Sequence, residues 1–192
     1  MSQVYLSKKE LRLHYRTLRS ALGKEERKAK ETVITSLCLQ HLCKLPLNAI
    51  IATYKALPSE VNTEHLTKAL RAKGYQIALP CVVGDQRPLE FRLYDEGTLL
   101  TTDGYKIAQP YSGAQIVVPQ IIIVPMLAFD QRGYRLGFGK GFYDRTIAEL
   151  KKKHNIRTIG IAYACQQAAK LPNDSYDERL DIIITEKEVI KI

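Results

Sequence analysis

Two hydrophobic periods alternate along the chain. Residues 49–54, 76–79, Ile121–Val124, 158–163 and 181–185 are short apolar runs, and they read as buried strands. Glu90-Phe-Arg-Leu-Tyr94 alternates apolar with polar and reads as a half-exposed strand. Between these runs the period lengthens. Ser7-Lys-Lys-Glu10 forms a capping box, after which Leu11, Tyr15, Leu18 and Leu22 recur at helical spacing until Gly23 stops the helix. A second helix spans 24–43 with Val33, Ile34, Leu37, Cys38 and Leu42 as its apolar face. A third spans 64–72, with Thr63 as N-cap and Gly74 closing it, and an amphipathic fourth spans 146–154. Residues 97–119, punctuated by Gly104, Pro110, Gly113 and Pro119, read as a turn-rich stretch hugging the surface. Strand, helix, strand recurring in this way predicts an α/β fold: a mostly parallel sheet between helices on both faces, a three-layer α/β/α sandwich. With no internal repeat and no linker, residues 1–192 are expected to form a single domain.

The totals narrow the class. A chain of 192 residues that is 45% hydrophobic and 26% charged has the make-up of an ordinary globular protein. No apolar run approaches the roughly 18 residues of a membrane span, and the N-terminus lacks the apolar core of a signal peptide, so a cytoplasmic protein without membrane contact is expected. A net charge of +9 points to nucleic acid, an anionic surface or an acidic small molecule. Cations crowd the first thirty residues and positions 151–153, both on predicted helices, where a solvated basic face accounts for them; Arg16 and Arg19 are assigned to such a face. Lys8 and Arg12, one turn apart near a helix start, are able to reach one anion together. Tyrosines are frequent but match no RNA-binding pattern, and Trp is absent, so a nucleic-acid partner is not expected. Cys38, Cys43, Cys81 and Cys165 form no Cys-x-x-Cys pair, and the scattered histidines give no zinc spacing, which leaves free thiols.

The densest chemistry lies in residues 130–145. After the run Ile121–Val124, the glycines 133, 137, 139 and 141 sit among Arg132, Arg135 and Lys140, with Asp144 just before a helix. Glycines let backbone N–H groups approach a ligand, and such groups beside cations at a helix N-terminus make a cradle for phosphate oxygens. It is not a Walker loop, because Gly141 follows Lys140, and the dinucleotide pattern fails at Phe142. In an open α/β sheet, ligands bind at the carboxyl ends of strands. Lys55 and Glu60 occupy such a position, as does this loop. The polar loop 171–177 adds two acids, Asp174 and Asp177.

Arg135-Leu-Gly-Phe-Gly-Lys-Gly-Phe-Tyr-Asp144 closely resembles the signature of the 5-formyltetrahydrofolate cyclo-ligase family, also called methenyltetrahydrofolate synthetase. Lys8-Lys-Glu-Leu-Arg12, Glu60-Val-Asn-Thr63, Val124-Pro-Met-Leu-Ala-Phe-Asp130 and Asp177-x-x-x-Asp181-Ile-Ile-Ile-Thr185 resemble its other elements in order, over nearly the whole chain. Tyr176 departs from the His usual before the second metal-binding Asp, and Asn62 from an acid common there.

The resemblance implies a Rossmann-like architecture of the sugar-phosphate isomerase/CoA-transferase kind. It implies an ATP-dependent ligase of one-carbon folate metabolism that uses magnesium to turn 5-formyltetrahydrofolate into 5,10-methenyltetrahydrofolate, ADP and phosphate. Its implied catalytic residues are Lys140, Glu60, Arg135 and Tyr143. ATP would meet Lys8, Lys9, Arg12 and the stretch Arg135, Leu136, Gly137, Phe138, Gly139, Lys140, Gly141, Phe142 and Tyr143. The folate would meet Arg12, Lys55, Glu60 and Phe138 to Phe142, and Asp144 with Asp177 would hold magnesium. Folate glutamate tails and ATP are anionic partners that suit the positive charge, and a monomer is expected. Two other readings stay open on charge and architecture: a basic nucleic-acid-binding module, and an ATP-independent relative of sugar-phosphate isomerases or CoA-transferases.

Overall fold

The computed structural model describes residues 7–43 and 45–192, and its elements follow the hydrophobic pattern closely. In chain order they are α1 (Lys8–Ala21), α2 (Lys24–Leu42), β1 (Ile50–Ala52), α3 (Glu64–Ala72), β2 (Gln76–Cys81) and β3 (Glu90–Leu93). Then come β4 (Leu100–Thr102), β5 (Ala108–Pro110), β6 (Ile116–Val117), β7 (Ile121–Val124), β8 (Ala128–Phe129) and β9 (Arg135–Leu136). The chain finishes with α4 (Phe142–Lys153), β10 (Arg157–Ile161), a short 3-10 turn (Ala164–Gln166), β11 (Ile182–Ile184) and β12 (Val189–Lys191).

The main sheet runs β12-β11-β10-β7-β1-β2-β3-β6. Its inner strands β11, β10, β7, β1 and β2 pair parallel, and the margins β12, β3 and β6 pair antiparallel. Buried on both sides, β7 sends Ile121 and Ile123 to one face, against α2 and α3, and Ile122 and Val124 to the other, against α4. Each such side chain contributes roughly 1.5–3 kcal/mol by leaving water. The three-layer α/β/α arrangement follows. From β1 the chain winds through α3 to β2; from β7 it winds the opposite way through α4 to β10. The order therefore reverses between β1 and β7, and the carboxyl ends of these two strands open a crevice.

Several details differ from the sequence reading, each for a local reason. Strand β2 runs through Pro80, because its pairing with β1 ends at Ala78 and the missing N–H faces no partner there. Helix α4 begins at Phe142, a turn earlier than amphipathicity indicated, since its first turn lies along the crevice rather than in the core. Thr63 occupies the α3 N-cap position without capping: its hydroxyl donates to the Tyr54 carbonyl, while Asn62 Oδ1 accepts the Glu64 N–H at 2.8 Å. On α2, Val33 is exposed, whereas Ile34, Cys38 and Leu42 are buried. Residues 97–119 are not a plain surface turn, for they carry the β4–β5 hairpin and β6. The long loop after β7 holds a second hairpin, β8–β9.

Candidate active site

One large cavity, about 920 Å³, occupies the crevice. Its walls come from α1, the loop after β1, the β4–β5 hairpin, the glycine loop after β9, α4 and residues 174–178.

The glycine loop is shaped by backbone and by arginine. Gly139 (φ +95°) and Gly141 (φ +66°, the α4 N-cap) hold left-handed conformations, and a Cβ on Gly139 would lie 3.0 Å from the Arg12 guanidinium. Arg12 Nε donates to the Gly137 carbonyl at 2.9 Å and Arg145 Nη2 to the Lys140 carbonyl at 2.7 Å. Among the described residues, the N–H groups from Gly137 to Asp144 find no protein acceptor. Such a row of free amides running into a helix N-terminus favours an anion. Lys140 projects from it with its ammonium 5.5 Å from the Tyr105 ring.

Two carboxylates flank this cradle. Asp144 Oδ1 accepts from Arg135 Nη2 at 2.8 Å and from the Glu178 N–H at 3.1 Å. Asp177 Oδ2 accepts from Lys8 Nζ at 2.6 Å, and the same ammonium reaches Asp174 at 2.9 Å. Burial pulls the Lys8 pKa down, but the hydrogen bonds to Asp177 and Asp174 together with their charges outweigh it and hold the group above its ordinary value. Each of Asp144 and Asp177 keeps one oxygen without a partner among the described residues. No group of three or more His, Cys, Asp and Glu gathers among those residues. A hard cation held by one or two carboxylates, phosphate and water needs none, so the pair fits magnesium with a nucleotide.

Across the crevice stands Glu60, only 6% exposed. Its Oε2 accepts the Leu57 N–H at 2.9 Å and its Oε1 lies 3.9 Å from Arg19 Nη1. Burial pushes its carboxyl above the ordinary range, against the Leu57 hydrogen bond and the Arg19 charge. Tyr143 lies close enough to Glu60 for the carboxylate to help burial raise its phenol. Lys55 donates to the Tyr94 hydroxyl at 2.9 Å and still lines the cavity, which Tyr54 and Leu57 also border.

A scan against family descriptions matches residues 4–186 to the 5-formyltetrahydrofolate cyclo-ligase family. The chain belongs to that family. It is similar to a 5-formyltetrahydrofolate cyclo-ligase of Haemophilus influenzae, 31% identical over 92% of this chain and 97% of the relative. Among solved structures it is similar to a 5,10-methenyltetrahydrofolate synthetase of Mycoplasma pneumoniae, with TM-score 0.76, 25% identity, and 94% of this chain and 99% of that one covered. The NMR structure of the Aquifex aeolicus 5,10-methenyltetrahydrofolate synthetase gives TM-score 0.77 at 29% identity, over 97% and 93% of the two chains. No helix among the described residues is long and apolar enough to cross a membrane.

In this family member nearly all the residues picked from the sequence meet at the cavity: Lys8, Arg12, Lys55, Glu60, the stretch 135–143, Asp144 and Asp177. Lys9 does not. It lies about 100° round α1 from Lys8 and is exposed. Arg132 also turns away: its guanidinium is held by Asp130, which is wholly buried, and by the Leu171 carbonyl. Arg19 was misread as solvated. It is 2% exposed and bonds Ser59 Oγ and the Met126 carbonyl, each at 3.1 Å, while Leu18 is the exposed position. The inward stripe of α1 is thus half-buried Leu11 with buried Tyr15 and Arg19, four apart, a spacing that is visible in the sequence but masked by the charge. Tyr105 was missed altogether. The β4–β5 turn brings it over the glycine loop, edge-on to Phe142 at 5.8 Å, with its hydroxyl on Asp85 at 2.9 Å. Nothing in a turn-rich stretch indicates such a long-range docking. Tyr176, the position at which the resemblance leads one to expect His, is 85% exposed and lines the cavity.

Proposed function

We propose that this protein, acting as one domain, converts 5-formyltetrahydrofolate into 5,10-methenyltetrahydrofolate at the expense of ATP. The reading rests on one juxtaposition: the free amides of 137–141 with Lys140 on one side of a single cavity, and buried Glu60 on the other.

A formamide oxygen is a poor leaving group. Attack of that oxygen on the ATP γ-phosphorus, with ADP departing, makes it a phosphate ester; the ten-position nitrogen then bonds to the formyl carbon, the carbon–oxygen bond breaks, phosphate leaves and the nitrogen loses its proton. Such a transfer needs positioning and charge neutralisation more than covalent help. Lys8, Arg12, Arg135 and the loop amides hold the triphosphate, and Lys140 meets the moving phosphoryl group. Lys9, exposed and outside the cavity lining, is left out of this set. Glu60 accepts from pterin N–H groups, with Lys55 and the Phe138–Phe142 stretch beside the folate, and Tyr143 flanks the formyl group. Magnesium, when bound by Asp144 and Asp177, supplies neutralisation of phosphate charge. Lys8 pairs with Asp177 at 2.6 Å within the same set. All these groups belong to one chain, so a monomer suffices.

The test is optical. Methenyltetrahydrofolate absorbs in the near ultraviolet where the formyl compound does not, so protein, substrate and magnesium should gain absorbance only when ATP is added. A gain without ATP, or none with it, overturns the proposal.

A further inference from the structure

The cavity lining also takes in one stripe of α4. Arg145, Ala148 and Lys152, at i, i+3 and i+7, make that stripe, and Leu89 and Ile107 belong to the same lining, Leu89 donating its N–H to Thr146 Oγ1 of α4. This part of the lining differs chemically from the phosphate cradle: Leu89, Ile107 and Ala148 are apolar, and the two cations stand on α4, Arg145 in its first turn and Lys152 in its last. Among the described residues, neither cation has a carboxylate within ion-pair distance. Arg145 is only partly engaged. Its Nη2 bonds the Lys140 carbonyl, its guanidinium lies 5.4 Å from the Phe142 ring, and its Nε is buried with no acceptor among the described residues. A buried charged donor without an acceptor is costly, and an incoming anion relieves that cost. Asp103, an acid of the same lining, is already committed, for its Oδ1 accepts the Tyr105 and Ile107 N–H groups at 2.8 Å each.

Apolar lining beside two cations that have no carboxylate partner among the described residues fits a flat ring that carries carboxylates. We propose that Arg145 and Lys152 form the subsite for the carboxylate tail of the folate, with the aminobenzoyl ring lying between Leu89, Ile107 and Ala148. The proposal rests on the cyclo-ligase reading and adds to it the group that selects the far end of the substrate. A triphosphate is better served at the other end, where amides, Lys8, Arg12 and the two carboxylates for a metal converge.

The experiment compares 5-formyltetrahydrofolate with the analogue that lacks its glutamate, by steady-state kinetics on wild type, Arg145→Gln and Lys152→Ala. Wild type should show a KM roughly tenfold higher for the analogue, the scale of one lost charge-assisted hydrogen bond. In both variants the ratio of the two KM values should fall toward one. Arg145 also braces the glycine loop, and damage to that role would raise both KM values together without changing their ratio. A ratio near one in wild type, a wild-type ratio kept by both variants, or a rise confined to the KM for ATP would each overturn the subsite. Absence of turnover by wild type on the glutamate-bearing substrate would sink the cyclo-ligase reading itself, and this subsite with it.

Discussion

Lys140 has no carboxylate partner among the described residues, and its nearest company is the Tyr105 ring. Its charge is therefore available to a phosphoryl group in transit, and Lys140→Ala should lower kcat by about two to three orders of magnitude, measured at saturating ATP. Wild-type turnover by the folded variant would remove Lys140 from the chemistry. Glu60 makes a second case at this scale. Burial holds its carboxyl above the ordinary range, so kcat/KM for the folate should fall on the acid side as Glu60 takes up a proton, at a pH higher than a solvated glutamate would give. The Arg19 charge opposes that rise, so Arg19→Met should move the acid limb to still higher pH, and it should destabilise the fold by about 3 kcal/mol because a buried charge loses its partner. Stability runs the other way. Between the ordinary glutamate pKa and the raised native one, the folded protein holds a proton that the unfolded chain has released, so stability declines as pH rises through that window. Glu60→Gln should abolish both the acid limb and this slope. A pH–rate profile and thermal melts across the acid range check all three.

The β4–β5 hairpin is the element whose role depends most on long-range contact. Its turn puts Tyr105 against Phe142 and over the Lys140 ammonium, closing the cavity on that side. Tyr105→Ala should lower kcat/KM for the folate about tenfold through loss of an aromatic wall, whereas Tyr105→Phe, which loses only the bond to Asp85, should stay near wild type. Equal losses in the two would show that the hydroxyl, not the ring, is what counts. This hairpin also marks the limit of what the sequence discloses. The sheet was legible because Ile121–Val124 and its neighbours are apolar on both faces, and the capping box of α1 was legible because Ser7 and Glu10 pair locally. The glycine loop and Glu60 were legible because chemistry and strand ends coincide in sequence. Arg19 was not: helical periodicity ranks residues by hydrophobicity, and a buried ion pair reverses that ranking. Tyr105 was not, because thirty-odd residues of chain separate it from the loop it covers, and only folding brings them together.

On the scale of the whole molecule, the cavity joins the two halves of the doubly wound sheet. Its walls include the loop after β1, which leads to α3, and the loop after β9, which leads to α4, with α1 laid across both. A ligand that binds only this assembled crevice stabilises the whole fold by mass action, by about 2.7 kcal/mol at one hundred times its Kd. For a domain of this size that corresponds to a rise in Tm of roughly 5–10 °C. Asp144 and Asp177 border the phosphate cradle, so ATP arriving without a divalent cation meets two carboxylates, and Lys8 must choose between Asp177 and the triphosphate. On the proposed function those carboxylates would hold magnesium, which would leave Lys8 free to meet the nucleotide. Thermal melts with ATP should therefore show a clear rise when magnesium is present and a much smaller one in EDTA. In Asp144→Asn the two conditions should converge, because the amide neither repels phosphate as strongly nor holds the cation. An ATP shift of the same size in EDTA as in magnesium for the wild type would mean that the two carboxylates bind no metal, and that their pairing with Arg135 and Lys8 is purely structural.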